Sequence, residues 1–409
     1  MSISYYVLVF LIVLIGLISV YWNYVKLMHL ERQLFGHRIR SHWKKIGLSL
    51  AFSIVSGLTI SGVLYGLGSM IPPILLFLWW GLALILSFFR FRFMASAVIG
   101  GLIVAVRILM EYFPPGSVIG SLLDEFWAFL GTIDVVSLLI LTTMLFLADF
   151  LFLYFFGEKA ATPYIERSKR GRLFGGYLFQ SLFLYPIVLV VPGSIGIPIT
   201  ADVSLIPFPV LSGYQYQMTR TYPWIGKNMI ARGSLLILFL LAVIIGISYY
   251  WPPAIWGSFL LLFAPEVLHQ LNKRKEKNGQ PVFVNDERGC RILALIDPSP
   301  AMKTGIRPGE IIQKINGVPI RTKKDIYYSL QKKPAYSKME ILDHDGEVRF
   351  VQRSLYHGEH HELGMVTSPE KNEPSILGGY PKGIIHSLNP KVSSDHPGIE
   401  LTASHTPAP

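Results

Sequence analysis

Charged residues are scarce in this 409-residue chain, at 15%, against 51% hydrophobic residues. That balance excludes an ordinary soluble protein, in which about a quarter of residues are charged. Cysteine is scarcer still. The single thiol, Cys290, excludes an internal disulfide, and a lone Cys in an apolar strand reads as a small core residue rather than a nucleophile. Catalytic patterns are also missing. A membrane zinc protease needs two helical His four apart, with Glu beside the first. Here His361-Glu362 is followed by Leu363, Gly364 and Met365, so the second His is absent. No apolar run contains a histidine, which removes a Ser/His dyad inside the membrane, and no Gly-x-Ser-x-Gly elbow or Ser-x-x-Lys pair stands where it could act. His357, His360 and His361 resemble a metal cluster, but no Cys or Asp completes it. The expectation is a protein without catalytic residues, metal or cofactor.

What is present is long apolar runs. Spans are expected near Tyr5 to Tyr21, Ile46 to Leu67, Ile71 to Phe89, Phe93 to Met110, Val135 to Phe156, Tyr177 to Ile197, Ser234 to Tyr250 and Ala254 to Leu268. The first lacks a basic n-region and a small-residue cleavage site, so it reads as an uncleaved anchor. Ser56, Gly57, Ser61, Gly62, Gly66 and Gly68 give the second span small faces suited to close helix packing. The stretch Ala201 to Gly213, broken by Pro207 and Pro209, is too short for a normal span but can re-enter or cross inside a bundle. Seven to nine spans follow, with an external N-terminus; the alternative is an even count with the N-terminus inside.

The net charge of +11 does not indicate nucleic acid, because most basic residues flank the spans. Lys26 to Lys45, Arg90 with Arg92, Lys159 to Arg172, and Lys273 to Lys277 are basic, which places them in the cytoplasm and against anionic lipid. The loop bearing Glu111, Asp124, Glu125 and Asp134 is acidic and expected outside. Within spans, Arg107 lies near a run's end and is expected to snorkel to the interface. Asp149 lies deep among Leu147, Phe150 and Leu151, where a structural polar contact is favoured over an ion pathway.

Beyond residue 270 the pattern changes. Arg291 to Ile296 is an apolar strand ending in Asp-Pro, Gly305 closes a helical turn, and Ile311 to Ile315 is a second strand. Asn316-Gly317 and Asp345-Gly346 are hairpin signals. Thr322 can N-cap a helix that carries Ile326 and Leu330 on one face. Leu363-Gly364-Met365-Val366 reads as a last strand. The stretch PSPAMKTGIRPGEIIQKINGVPI, Pro298 to Ile320, resembles the signature of a bacterial PDZ domain, a module that adds an extended peptide to a sheet edge. That resemblance implies a groove between Gly289, Cys290, Arg291, Ile292, Leu293, Ala294 and Leu295 on one side and Ile326 and Leu330 on the other. Val282-Phe283-Val284 and Gly289 are both candidates for its carboxylate-binding loop.

The expected fold is therefore a membrane α-helical bundle over residues 1–270, a basic linker over 271–280, a small α+β PDZ domain over 281–369 and a disordered tail over 370–409. This arrangement resembles the MinJ family of division topological determinants in Gram-positive rods. The match extends to the basic segment Lys26 to Lys45, the Glu158 to Arg172 loop and the Tyr222-Pro223-Trp224 segment. It implies a scaffold at septa and poles that bridges a DivIVA-like coiled-coil protein to MinD, with other division proteins as further contacts. Two other readings remain open here: a noncatalytic regulator presenting substrates to a membrane protease, and a transporter with a PDZ sensor.

Overall fold

The computed structural model describes residues 2–69, 71–112, 128–168, 171–192, 197–200, 203–277, 279–332, 336–354, 363–370, 373, 375–377 and 392–393. Seven apolar helices are described: α1 Ser2–Phe35, α2 His42–Gly66, α3 Pro73–Phe89, α4 Ser96–Tyr112, α5 Val135–Ala160, α6 Pro223–Ser248 and α7 Phe259–Lys277. By length and composition five can cross a membrane: Val7–Phe35, His42–Gly66, Val135–Ala160, Pro223–Ser248 and Pro252–Glu276, the last including the turn before α7. Their starts follow local rules. Pro73 and Pro223 occupy first turns, where a missing N–H costs nothing. Asp134 caps α5 by accepting from the amides of Val136 and Ser137.

The run from Tyr177 is strand rather than helix over its described part, to Pro192. It belongs to a hairpin of two long strands, β2 Leu173–Pro192 and β4 Val203–Met218, in register from Tyr177 opposite Met218 to Pro192 opposite Val203. The broken stretch Ala201 to Gly213 is the returning arm, described from Val203. β1 Thr162–Arg167 pairs with the start of β2, and β3 Ile197–Thr200 with the start of β4. A continuous apolar run cannot by itself separate a helix from a strand buried on both faces. Its aromatic and β-branched content, with Pro186 at its middle, favours the strand.

Helices enclose this hairpin. α1 runs antiparallel to β2, with Asn23 against Gln180 and Gly16 against Leu184. α2 runs parallel to it. Ser49 donates to the Leu182 carbonyl at 2.7 Å, Gly57 lies against Pro186, and the Ser61 hydroxyl accepts from the Val188 amide at 2.8 Å. Gly57 and Ser61 of α2 thus receive a strand rather than another helix, while a Cβ at Gly62, Gly66 or Gly68 would meet nothing within 4 Å. On the far side, α3 supplies Trp79 and Trp80, which donate to the carbonyls of Leu211 (3.0 Å) and Pro209 (2.6 Å). Irregular backbone among apolar helices persists only where such partners satisfy it.

Asp149 of α5 ties the layers together. Its carboxylate accepts from the hydroxyls of Ser96 (2.7 Å), Ser212 (2.9 Å) and Tyr185 (2.9 Å), joining α4, α5 and both hairpin arms. These contacts match the structural role expected for it. Arg107 is held by the carbonyls of Gly131 and Ile133, at 3.2 Å each, so its head has protein partners as well as a place near the helix end.

The basic segments converge at one end of the bundle, where the C-terminal module docks. There Lys45 pairs with Glu31 at 3.2 Å, both side chains nearly inaccessible. Arg40 donates to the last carbonyls of α5, at Glu158 and Lys159, where the helix dipole favours a cation. The module comprises β5 Cys290–Leu295, β6 Ile311–Ile315, β7 Val318–Pro319, α8 Lys323–Lys332, β8 Tyr336–Leu342, β9 Val348–Ser354 and β10 Met365–Thr367. Its sheet order is β10-β5-β6-β8-β9, around a core that includes Ile292, Ile312, Ile315, Leu330, Met339 and Ile341. Asn316 (φ 52°) and Gly317 (φ 83°) make the tight turn expected of them, and the Asn316 side chain also accepts from the Lys338 amide at 2.9 Å.

The module rests directly on the bundle. The Gly175 amide donates to Phe283 at 2.7 Å, Val282 to Thr219 at 3.1 Å, and Asp297 to Ile39 at 2.8 Å. Tyr222 and Trp224 stack on each other and both contact His344. Between bundle and module, the expected basic linker begins as helix, since α7 continues to Lys277. Within the expected tail, β11 Ser375–Leu377 runs parallel to β1 at Glu166 and Arg167, and β12 Val392–Ser393 pairs with β11. His357, His360 and His361 lie outside the described residues.

Candidate peptide-binding groove

The strand expected to line the groove is formed, but both of its edges are taken. β5 pairs with β6 through Cys290 and Arg291, and with β10 through Ile292, Ala294 and Leu295. A peptide therefore has no ladder to join along Cys290 to Leu295. This corrects the sequence-based assignment, and each residue has another task. Gly289 approaches the Ile312 carbonyl so closely that a Cβ would lie 2.2 Å from it. Cys290 and Ile292 are buried in the module core. Burial pushes the Cys290 thiol up to about 12, in keeping with an inert core residue. Arg291 bonds to Asp286 at 2.6 Å; the Arg288 guanidinium beside Asp286 holds that carboxyl well below the usual range. Leu293 and Ala294 pack toward the bundle, and the Leu293 carbonyl accepts from Tyr177.

Among the described residues β10 is a terminal strand of the sheet, with β9 at the opposite end. A cleft of about 510 Å³ lies between β10 and α8. Leu363, Gly364, Met365 and Val366 form one wall, and Lys323, Ile326 and Tyr327 form the other. Of the two helical residues expected here, Ile326 lines the cleft while Leu330 is wholly buried behind it, in the same core as Leu363. The end of α1 and the following turn, Arg32 to His37, supply a third wall from the bundle.

Local chemistry fixes both walls. Thr322 and Asp325 form a reciprocal cap: the Thr322 hydroxyl accepts from the Asp325 amide at 3.3 Å, and the Asp325 carboxylate accepts from the Thr322 amide at 2.8 Å. The Lys323 amide donates to Glu370 at 2.7 Å, and the Lys323 ammonium pairs with Glu373 at 2.5 Å. Opposite, Gly364 has φ +75°, and a Cβ there would lie 2.2 Å from Ser299. The carbonyls of Leu363 and Gly364 accept from Ala301 (3.0 Å) and Ile296 (2.9 Å). The signal in the sequence was a glycine between apolar residues, Leu363-Gly364-Met365, opening the last strand. Among the described residues no group of three His, Cys, Asp or Glu is placed to hold a metal.

Comparison with known proteins agrees with this architecture. Residues 292–342 match the family model of the PDZ domain, a span that ends before β9 and the groove strand β10. The cell division topological determinant MinJ of Bacillus subtilis is 26% identical over 388 residues, covering 88% of this chain and 92% of that protein. The probable cell division topological determinant MinJ of Lacticaseibacillus paracasei is 22% identical over 230 residues, 53% of this chain and 60% of that protein. With a mostly helical N-terminal region that includes five candidate spans and a PDZ domain behind it, the chain is similar to the cell division topological determinant MinJ over most of its length.

Proposed function

We propose that this protein is a noncatalytic membrane scaffold of division-site selection. In this reading it holds a DivIVA-like polar protein and MinD at one patch of membrane, with other division proteins as further contacts, and so restricts where a septum forms. The bridge acts by raising local concentration and needs no cofactor or turnover. The observation that carries the reading is β10, a terminal strand with no further strand paired to it among the described residues, lying beside α8 as an acceptor for one extended partner segment. The relatives named as division determinants supply the process. The basic segments gathered at the PDZ end support a cytoplasmic location for that domain.

Within the groove, Leu363 to Val366 are assigned to backbone pairing, and Ile326 with Tyr327 to side-chain selection. The first experiment is imaging of a fluorescent fusion in dividing rod-shaped cells, with and without their DivIVA-type protein. Septal and polar enrichment that disperses on removal of that protein is expected. A uniform membrane signal unchanged by the deletion would overturn the assignment. Ile326→Glu, which places a charge in the cleft, is expected to preserve membrane abundance while abolishing capture of the groove's partner.

A further inference from the structure

A second cavity, of about 460 Å³, opens at the PDZ end of the bundle and shares no residue with the peptide cleft. It lies between the ends of β2 and β4, the Arg90 to Arg92 corner joining α3 to α4, and the last turns of α7. Five of its lining residues are Arg or Lys, namely Arg90, Arg92, Arg172, Arg220 and Lys273, and His269 lines it as well. Its two acidic residues are Glu166 and Glu276. Glu276 is already committed, accepting from the amides of Thr219 and Arg220 at 2.9 Å each and from the Thr221 hydroxyl at 3.2 Å.

Several residues lining this cavity also carry a buried donor atom with no acceptor among the described residues. Arg92 meets Glu266 through Nη2 at 2.9 Å, but its Nε has no partner, and neither does Nη1 of Arg220. Asn272 is only 7% exposed and its amide nitrogen is also unmatched. Buried donors of this kind are costly unless something meets them. Guanidinium forks together with an amide suit the several oxygens of a phosphate, and Phe174, Tyr216 and Met218 give the ligand an apolar wall.

We infer that this cavity binds a phosphate-bearing ligand, either the headgroup of an anionic phospholipid or a soluble phosphate compound. The ends of apolar helices α3 and α7 form its rim, within reach of a headgroup.

The test uses the full chain, purified in detergent and stripped of lipid. Phosphatidylglycerol, phosphatidylcholine and inorganic phosphate are added separately, with retention read by native mass spectrometry and melting temperature by scanning fluorimetry. Arg220→Gln and the exposed Arg172→Gln are compared with Lys324→Gln, an equal charge change on the surface of α8. One retained phosphatidylglycerol is expected, bound about tenfold more weakly by either cavity variant and unchanged in Lys324→Gln. Arg-dependent stabilisation by inorganic phosphate, with no retained lipid, would support the phosphate site and assign it a soluble ligand. Equal binding of every ligand by wild type and cavity variants would overturn the inference. If Arg220→Gln fails to fold, Arg172→Gln decides the matter, since its exposed side chain leaves core packing intact.

Discussion

Pro186 stands directly opposite Pro209 in the central hairpin. Both face outward from the ladder. On β2 the carbonyl of Leu182 and the amide of Val188 point to α2, and on β4 the carbonyls of Pro209 and Leu211 point to α3. Residues two apart on a strand point the same way, so Pro186, Pro207 and Pro209 each lack an N–H on an outer edge that faces apolar helices. Proline here removes donors that would otherwise be buried and unpaired.

Pro209→Ala restores such a donor. It is expected to destabilise the protein by about 1–3 kcal/mol, although alanine is unremarkable in most strands. A melting temperature in detergent equal to or above that of wild type would contradict the edge argument.

Trp79→Phe keeps an aromatic ring but removes the indole N–H that serves the Leu211 carbonyl, together with the volume of the five-membered ring at a fully buried site. The expected cost is again about 1–3 kcal/mol, because the carbonyl remains buried. Trp43→Phe, at a side chain 61% exposed, serves as a control expected to stay within about 0.5 kcal/mol.

Glu31 and Lys45 form a pair with side chains 2% and 9% exposed, supported by the Ile39 amide on Glu31 and the Thr162 hydroxyl on Lys45. Glu31→Leu or Lys45→Met alone strands a buried charge and should cost about 3–5 kcal/mol. The double variant should recover much of that loss. Additive costs in a double-mutant cycle would mean the two charges do not depend on each other.

Gly364→Ala introduces a Cβ at φ +75°, 2.2 Å from Ser299. Strain of about 1–3 kcal/mol should loosen β10 without unfolding the bundle. Hydrogen exchange should accelerate at Met365 to Thr367 and stay unchanged in α5. Unchanged exchange at β10 would show that the turn tolerates a side chain.

Cys290, buried and pushed up to about 12, should alkylate far more slowly than a free thiol between pH 7 and 9, and react fully after denaturation. Iodoacetamide labelling at the free-thiol rate in the native protein would refute its burial.

Local pattern made much of the PDZ module legible. Asn316-Gly317, Asp345-Gly346, the Thr322 cap and the left-handed Gly305 were all readable, because each depends on residues within a few positions of one another. The strand expected at the groove, Arg291 to Leu295, lies one position in from the edge of the sheet. The run Arg291 to Ile296 reads as a buried strand whichever neighbour flanks it. That the neighbour is Met365 to Thr367, from the far end of the module, is a long-range pairing without a local signature. The hairpin was misread for a related reason. Tyr177 to Ile197 is mostly apolar, and the hairpin's outer-edge prolines, Pro186, Pro207 and Pro209, gain meaning only beside α2 and α3.

Composition and local spacing sufficed for the apolar helices, the basic segments at their ends, the PDZ elements and the resemblance to MinJ, since these rest on hydropathy, charge and turn chemistry along the chain. Tertiary structure alone decided that one apolar run is a strand and that Asp149 is met by three hydroxyls. It also decided that β10 rather than β5 is a terminal strand and that the end of α1 lines the cleft beside it. Each of these depends on hydrogen-bonding groups from distant segments finding one another, and no window of sequence contains both partners.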